Sequence, residues 1–269
     1  MYILNKTKSG LKKIKSYYLY YTRSYKYADN LYPGTFLSRS SKVSKTLLNP
    51  APEIIYTFWT GDNELTPNRK KGLESLRKNT EVEVKLITQK NLDKYILKDY
   101  PLHKAYEYLS YVHRADYLRC YFMLHYGGGY ADVKPFNHSW KKAFEKLNND
   151  SEKWVIGYQE LGAWGVPVVQ GKLGKDIKTY YLYLLGIISF VFKPYSPIAQ
   201  EWMDELNLRL DENYEVLKRN PAIDPFGTNN NYPIPWSYIL GQILHPLFLK
   251  YHDKTIKTKK LIPVLKNYR

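Results

Sequence analysis

One cysteine, Cys120, is all the thiol chemistry this 269-residue chain has. An intrachain disulfide is excluded, and with it the small secreted folds stapled by such bonds. Cys120 lies in an apolar helical run, LRCYFML, where a lone thiol packs as a small hydrophobe. No segment reaches the roughly 20 apolar residues that cross a bilayer. The most apolar stretch, YYLYLLGIISFVF at 180–192, is short and broken by Gly186. Lysines open the chain without an apolar stretch behind them, so no cleaved signal peptide is expected. Internal repeats and low-complexity tracts are missing too, which excludes solenoids, collagen-like chains and coiled coils. Acid is scarce: 25 Asp+Glu stand against 41 Lys+Arg, for a net charge of +16. Such a field favours anionic partners, whether nucleic acid, anionic lipid or phosphate-bearing substrates.

Hydrophobic residues make up 44% of the chain, enough for a sizeable core, and 28 tyrosines carry much of its aromatic content. Residues 1–50 are rich in Lys, Tyr and Ser (LKKIKSYYLYYTRSYKYADN) and read as a basic N-terminal extension. Basic residues interleaved with aromatics suit an anionic membrane surface; a poorly ordered extension or a packed N-terminal appendage is the plainer reading. Residues 51–269 read as one domain. EIIYTFWTG is a β-rich run closed by a Thr-Gly turn, TPNRKKGLESLRKNT a helix with Pro67 in its first turn, and VEVKLIT an alternating strand. NLDKYILKDY reads as a helix with an Asn cap, and 103–126 as a long helix stopped by Gly127–Gly129. GYADVKPF then leaves the turn extended. WVIGYQE and GIISFVFKP read as strands, SPIAQEWMDELNLRLDENYEVLK as one or two helices, and WSYILGQILHPLFLKY as a last helix. Alternating strands and helices predict an α/β fold with a mainly parallel central sheet flanked by helices. Ligands of such sheets sit beyond the carboxyl ends of the strands, where Trp59 and Asp132 both fall.

Three features combine there. Trp59 ends the first strand. Asp116 and Arg119, three apart on the long helix, share one face among largely apolar neighbours. A charged pair in a core-facing helix is costly without a task. Arg119 suits bidentate anion binding and Asp116 suits ligand hydroxyls. Asp132 follows a glycine run that either lets a ligand or backbone approach closely or simply stops the helix. The run is no phosphate loop, since neither GxxxxGK[ST] nor a helix-opening GxGxxG is present. Asp132 suits a hard cation such as Mg²⁺, which commonly takes one or two carboxylates plus substrate phosphates.

The stretch RADYLRCYFMLHYGGGYADV resembles the signature of DxD glycosyltransferases of glycosyltransferase family 32 and of capsular polysaccharide synthesis proteins. There an A-D-x-x-R helix runs into Y-G-G-x-Y-x-D-x-D, and EIIYTFWTG looks like the same group's first strand. The resemblance spans roughly residues 53–136. It implies a GT-A nucleotide-diphospho-sugar transferase fold, a UDP- or GDP-sugar donor, Mn²⁺ or Mg²⁺, and retention of anomeric configuration. By that resemblance Trp59 lies near the donor base, Asp116 meets sugar or ribose hydroxyls, and Arg119 holds the sugar or phosphate end. Asp132 becomes the first acid of the DxD and the metal ligand. The second acid is replaced by Lys134. Three readings stay open: Asp132 alone holds the metal with help from phosphates and a C-terminal ligand, Lys134 partly replaces the metal, or activity is lost. In the late segment TNNNYPIPWSYILGQILH, the candidates for a lid over the diphosphate are Asn229, Asn230, Trp236 and His245.

The expected function is sugar transfer to a glycan or lipid-linked saccharide acceptor in capsule or lipopolysaccharide synthesis. The expected location is the cytoplasm, peripheral on the inner face of the membrane. Two other classes compete: a basic nucleic-acid-binding protein, which lacks any zinc, RNP or helix-turn-helix pattern, and a degenerate sugar-nucleotide-binding homologue.

Overall fold

The computed structural model describes residues 13–22, 24–39 and 48–266. Among them a helix, α1, covers 13–22. The rest alternates as the sequence predicts: β1 (Ile54–Trp59), α2 (Pro67–Asn79), β2 (Glu83–Thr88), α3 (Tyr111–His125) and β3 (Gly128–Ala131). Then come α4 (Lys141–Asn148), β4 (Val155–Gln159), α5 (Gly171–Thr179), β5 (Leu185–Phe192), α6 (Pro197–Arg219), α7 (Gly241–Lys250) and β6 (Thr255–Lys257). The six strands form one sheet in the order β2-β1-β3-β5-β4-β6. β5 runs antiparallel to both its neighbours, while the other three pairings are parallel. The fold is therefore mixed α/β and mostly parallel.

Period-two alternation divides the core between the two faces of the sheet. Tyr56, Phe58, Tyr130, Phe190 and Phe192 point to the side packed by α3, α6 and α7. Ile55, Ala131, Ile156 and Val191 point to the other, against Leu76 of α2 and Phe144 and Leu147 of α4. Tyr25, Tyr32 and Leu37 are buried in the larger core, so the N-terminal stretch is partly built into the domain. Cys120 is fully buried on α3, and burial pushes its thiol pKa well up.

Three elements differ from expectation, and a fourth is settled between two readings. The segment read as an Asn-capped helix is only a 3-10 turn, Leu92–Tyr95. The side chain of Asn91 serves β2 instead, accepting from Thr88 N at 2.7 Å and donating to Leu86 O at 3.0 Å. The long helix starts at Tyr111 rather than at 103, because Ser110 caps it by accepting from His113 N. Upstream backbone is satisfied by tyrosines of the helix instead: Tyr117 Oη accepts from His103 N, and Tyr121 Oη accepts from Leu97 N while donating to Tyr100 O. The last helix starts at Gly241 rather than 236, since Ser237 O receives the Gln242 N–H in a turn. The expected one or two helices after Ser196 are a single 23-residue helix. Sequence reading assigned nothing to α4 or α5.

The three glycines stop α3 and admit protein rather than ligand. Gly127 and Gly128 have φ of +63° and +79°. A Cβ on Gly128 would stand 2.7 Å from Ile54 O, and one on Gly129 would stand 2.9 Å from Ile55 Cγ1. Only glycine takes that backbone and lets β3 lie so close to β1.

Candidate functional site

β1 and β3 run parallel, so their carboxyl ends share one end of the sheet. At the tip of β1, Trp59 Nε1 donates to Asn63 O at 2.7 Å and Thr60 Oγ1 donates to Tyr111 O at 2.5 Å. That bond ties the strand tip to the first turn of α3. One and two turns further along, Asp116 and Arg119 are both buried. Their side chains face one another, with Arg119 Nη2 3.4 Å from Asp116 Oδ1.

β3 delivers the rest of the cluster. Tyr130 and Asp132 are two apart and therefore share a face, the one toward α3. Arg119 lies over the Tyr130 ring, 4.1 Å from its centroid. Its Nη2 donates to Tyr130 Oη at 2.6 Å and to Asp132 Oδ1 at 3.3 Å, and its Nη1 donates to Ile187 O at 2.9 Å. Tyr130 Oη in turn donates a hydrogen bond to Asp132 Oδ1 at 2.5 Å. The Lys134 ammonium donates to the other oxygen, Asp132 Oδ2. The backbone is held as firmly: Asp132 N donates to Ile188 O at 3.0 Å, and Arg69 of α2 donates to Val133 O at 2.7 Å.

The two acids are driven apart electrostatically. Burial pushes the Asp116 carboxyl up to about 7; Arg119 opposes that rise and Asp132 adds to it. Burial also pushes Asp132 up, but Lys134 and then Arg119 outweigh it and hold this carboxyl below its usual range. Near neutral pH the site therefore contains an ionised Asp132 and an Asp116 poised to give or take a proton. Such splitting of neighbouring titratable groups is a feature of acid–base and ligand sites, and structural ion-pair networks produce it too.

Tyr158 extends the cluster toward β4. The β4–β5 pairing shifts register between Gly157 and Gln159. The Tyr158 ring crosses Gly186, where a Cβ would stand 1.9 Å from Tyr158 Cζ. Glycine at 186 interrupts the apolar run for this reason. Burial raises the Tyr158 hydroxyl pKa, and both Glu160 and Asp132 add to the rise.

Asp116, Arg119, Asp132 and Lys134 thus meet in one cluster. Trp59, the last residue of β1, and Trp236, on a loop at the same sheet end, stay outside it. Trp236 is 62% exposed, and its ring packs against Phe226 at 6.3 Å. Its loop is anchored to α3 where Tyr232 Oη meets His113 Nδ1 at 2.9 Å. Asn229 braces that loop through Ile223 N and Pro221 O. Asn230 is exposed. His245 is fully buried on α7 with Nε2 3.3 Å from Glu160 Oε2, a packed position rather than a lid. Tyr130, Tyr158 and Arg69 went unnoticed in the sequence. Tyr130 had a signal, its two-residue spacing from Asp132 on a strand; Tyr158 depends on a register shift and Arg69 on tertiary packing.

The expected divalent cation fits this donor set poorly. Both Asp132 oxygens already accept from Tyr130, Arg119 and Lys134, and an ammonium occupies the place of the second acid. Among the described residues no group of three or more His, Cys, Asp or Glu is placed to hold a metal ion.

A family model described as capsular polysaccharide synthesis protein matches residues 8–160, just over half of the chain. The chain belongs to this family. The match contains Trp59, Asp116, Arg119, Asp132 and Lys134, whereas Trp236 and His245 lie beyond it. Neither the curated proteins nor the solved structures yield a match. Membership supports a role in capsular polysaccharide synthesis. No helix among the described residues is long and apolar enough to cross a membrane.

Proposed function

We propose that this capsular polysaccharide synthesis protein is a glycosyltransferase with a GT-A-like fold. It transfers a sugar from a UDP- or GDP-sugar to a glycan or lipid-linked saccharide. The observation that carries the reading is the cluster of buried Arg119, Asp116 and Lys134 around the half-buried Asp132, at the carboxyl end of a mostly parallel sheet. Breaking the bond between sugar and diphosphate leaves negative charge on the bridging oxygen, and fixed cations aimed at that charge lower the barrier most. Lys134 and Arg119 are such cations. They are held by Asp132 and the Ile187 carbonyl before any ligand arrives, so little reorganisation remains during reaction. No step is routed through a metal. Asp116 receives a donor hydroxyl, and its raised pKa lets it accept or donate in that contact. With no carboxylate assigned as a nucleophile, the acceptor hydroxyl attacks from the leaving-group side and the departing phosphate takes its proton, which gives retention.

The test is release of nucleoside diphosphate from UDP- and GDP-sugars, with Arg119→Met beside the parent. Turnover of one donor that Arg119→Met abolishes is the expected result. Absence of both turnover and binding across the donor set would overturn the proposal.

A further inference from the structure

We infer that α1 is a docking face for an anionic bilayer surface. The helix has two apolar faces. One packs on the domain: Ser16 is buried, Leu19 and Tyr20 are half-buried, and the Tyr20 ring meets Tyr183 edge-on at 4.9 Å. Lys257, at the end of β6, closes this contact with its ammonium 4.9 Å from the Tyr20 ring centroid. The opposite face carries Ile14, Tyr17, Tyr18 and Tyr21, exposed by 66%, 41%, 59% and 76%. Their spacing of three, four and seven places them in one stripe about 10 Å long. These large side chains, aligned along a docked helix and largely exposed, with Tyr17 at the edge also reaching Tyr181 of the domain, form a surface that calls for a partner.

Charge and side-chain type identify that partner. The first 28 residues contain seven Lys or Arg and no Asp or Glu. Lys13 and Lys15 flank the stripe on the helix itself, and both are exposed. Tyrosine has an apolar ring and a polar tip, which suits the headgroup level of a bilayer. Basic residues beside such a face are drawn to anionic lipid within a Debye length. The helix is held sideways by its inner face, so the stripe lies flat along a surface. This contact is independent of the sugar-transfer reading, because donor turnover in solution does not involve α1.

The full chain is tested by co-sedimentation with vesicles of phosphatidylcholine alone and of phosphatidylcholine with phosphatidylglycerol. Binding is expected to the anionic vesicles only and to fall with salt. Replacing Lys13 and Lys15 together (K13Q, K15Q) weakens it roughly 30-fold. Replacing Tyr18 and Tyr21 (Y18S, Y21S) also weakens it, while the unfolding temperature and donor turnover stay those of the parent. Equal binding to both vesicle types, or unchanged binding by both double variants, would overturn the inference. So would absence of vesicle binding together with a dimer, or an oligonucleotide complex, that the same substitutions abolish.

Discussion

Lys250 and Glu201 meet between α7 and α6, with both carboxylate oxygens 2.9 Å from the ammonium and Tyr251 donating its hydroxyl to Glu201 at 2.5 Å. At the carboxyl end of the sheet, Lys134 and Tyr130 serve Asp132 in the same way. Both sites combine a buried ammonium, a carboxylate and a tyrosine hydroxyl. The difference lies in what surrounds them. In the α6–α7 pair, the ammonium and hydroxyl serve a single carboxylate between two helices. The Asp132 site adds a guanidinium and a second carboxylate whose pKa is pushed up to about 7, and it sits where α/β sheets bind ligands. One ammonium on one carboxylate is enough to brace α6 against α7; in the proposed reading the added guanidinium and the raised-pKa carboxylate beside Asp132 serve a ligand.

The sharpest way to break the comparison is to remove each ammonium in turn. Lys250→Met leaves Glu201 buried without its cation and is expected to cost about 3–5 kcal/mol of stability, read by denaturant unfolding. Lys134→Met leaves Asp132 with Arg119 and Tyr130, so its stability cost is about 1 kcal/mol. Its donor turnover nevertheless falls roughly 100- to 1,000-fold in kcat, the scale for losing one fixed charge-stabilising group. If Lys134→Met lost only stability, the two sites would be equivalent braces.

Asp116 gives a pH-dependent contrast. Its carboxyl holds a proton in the folded state up to about pH 7, whereas the unfolded chain releases it near the ordinary carboxylate value of 3.8. The folded state binds more protons across that window, so this residue lowers stability as pH rises from about 4 to 7. Asp116→Asn is therefore expected to match the parent near pH 4. It should exceed the parent by about 4 kcal/mol above pH 7, while losing donor turnover. Melting curves across that range check the sign. The smallest effect belongs to the loop: Trp236→Ala should change stability by no more than about 0.5 kcal/mol, since the indole is exposed. A rise in donor KM in that variant would bring the loop into the site.

The division between legible and hidden features follows sequence distance. Asp116 and Arg119 were readable because helical geometry alone places residues three apart on one face, and Asp132 because the glycine run forces a stop directly before it. The strand pattern gave β1, β2, β4 and β5 for the same local reason. β6, with only three residues, draws its order from pairing with β4 across the sheet, which no local pattern reveals. The missed α4 had a local signal in Ala143, Phe144 and Leu147, its buried face. The helix expected at 91–100 gave way because tyrosines of α3 satisfy that backbone in another conformation. Tyr158 was hidden by the β4–β5 register shift. Lys134 was legible as a departure from the DxD pattern, but its bond to Asp132 is a three-dimensional fact.

The central claim is that Lys134 takes the place of a metal. Donor turnover by the parent chain and by Lys134→Asp, each measured in EDTA and then with Mn²⁺ restored, tests it most directly. The account predicts parent turnover that EDTA leaves unchanged and a Lys134→Asp activity that disappears in EDTA and returns with Mn²⁺. Parent turnover lost in EDTA and recovered with Mn²⁺ would contradict it.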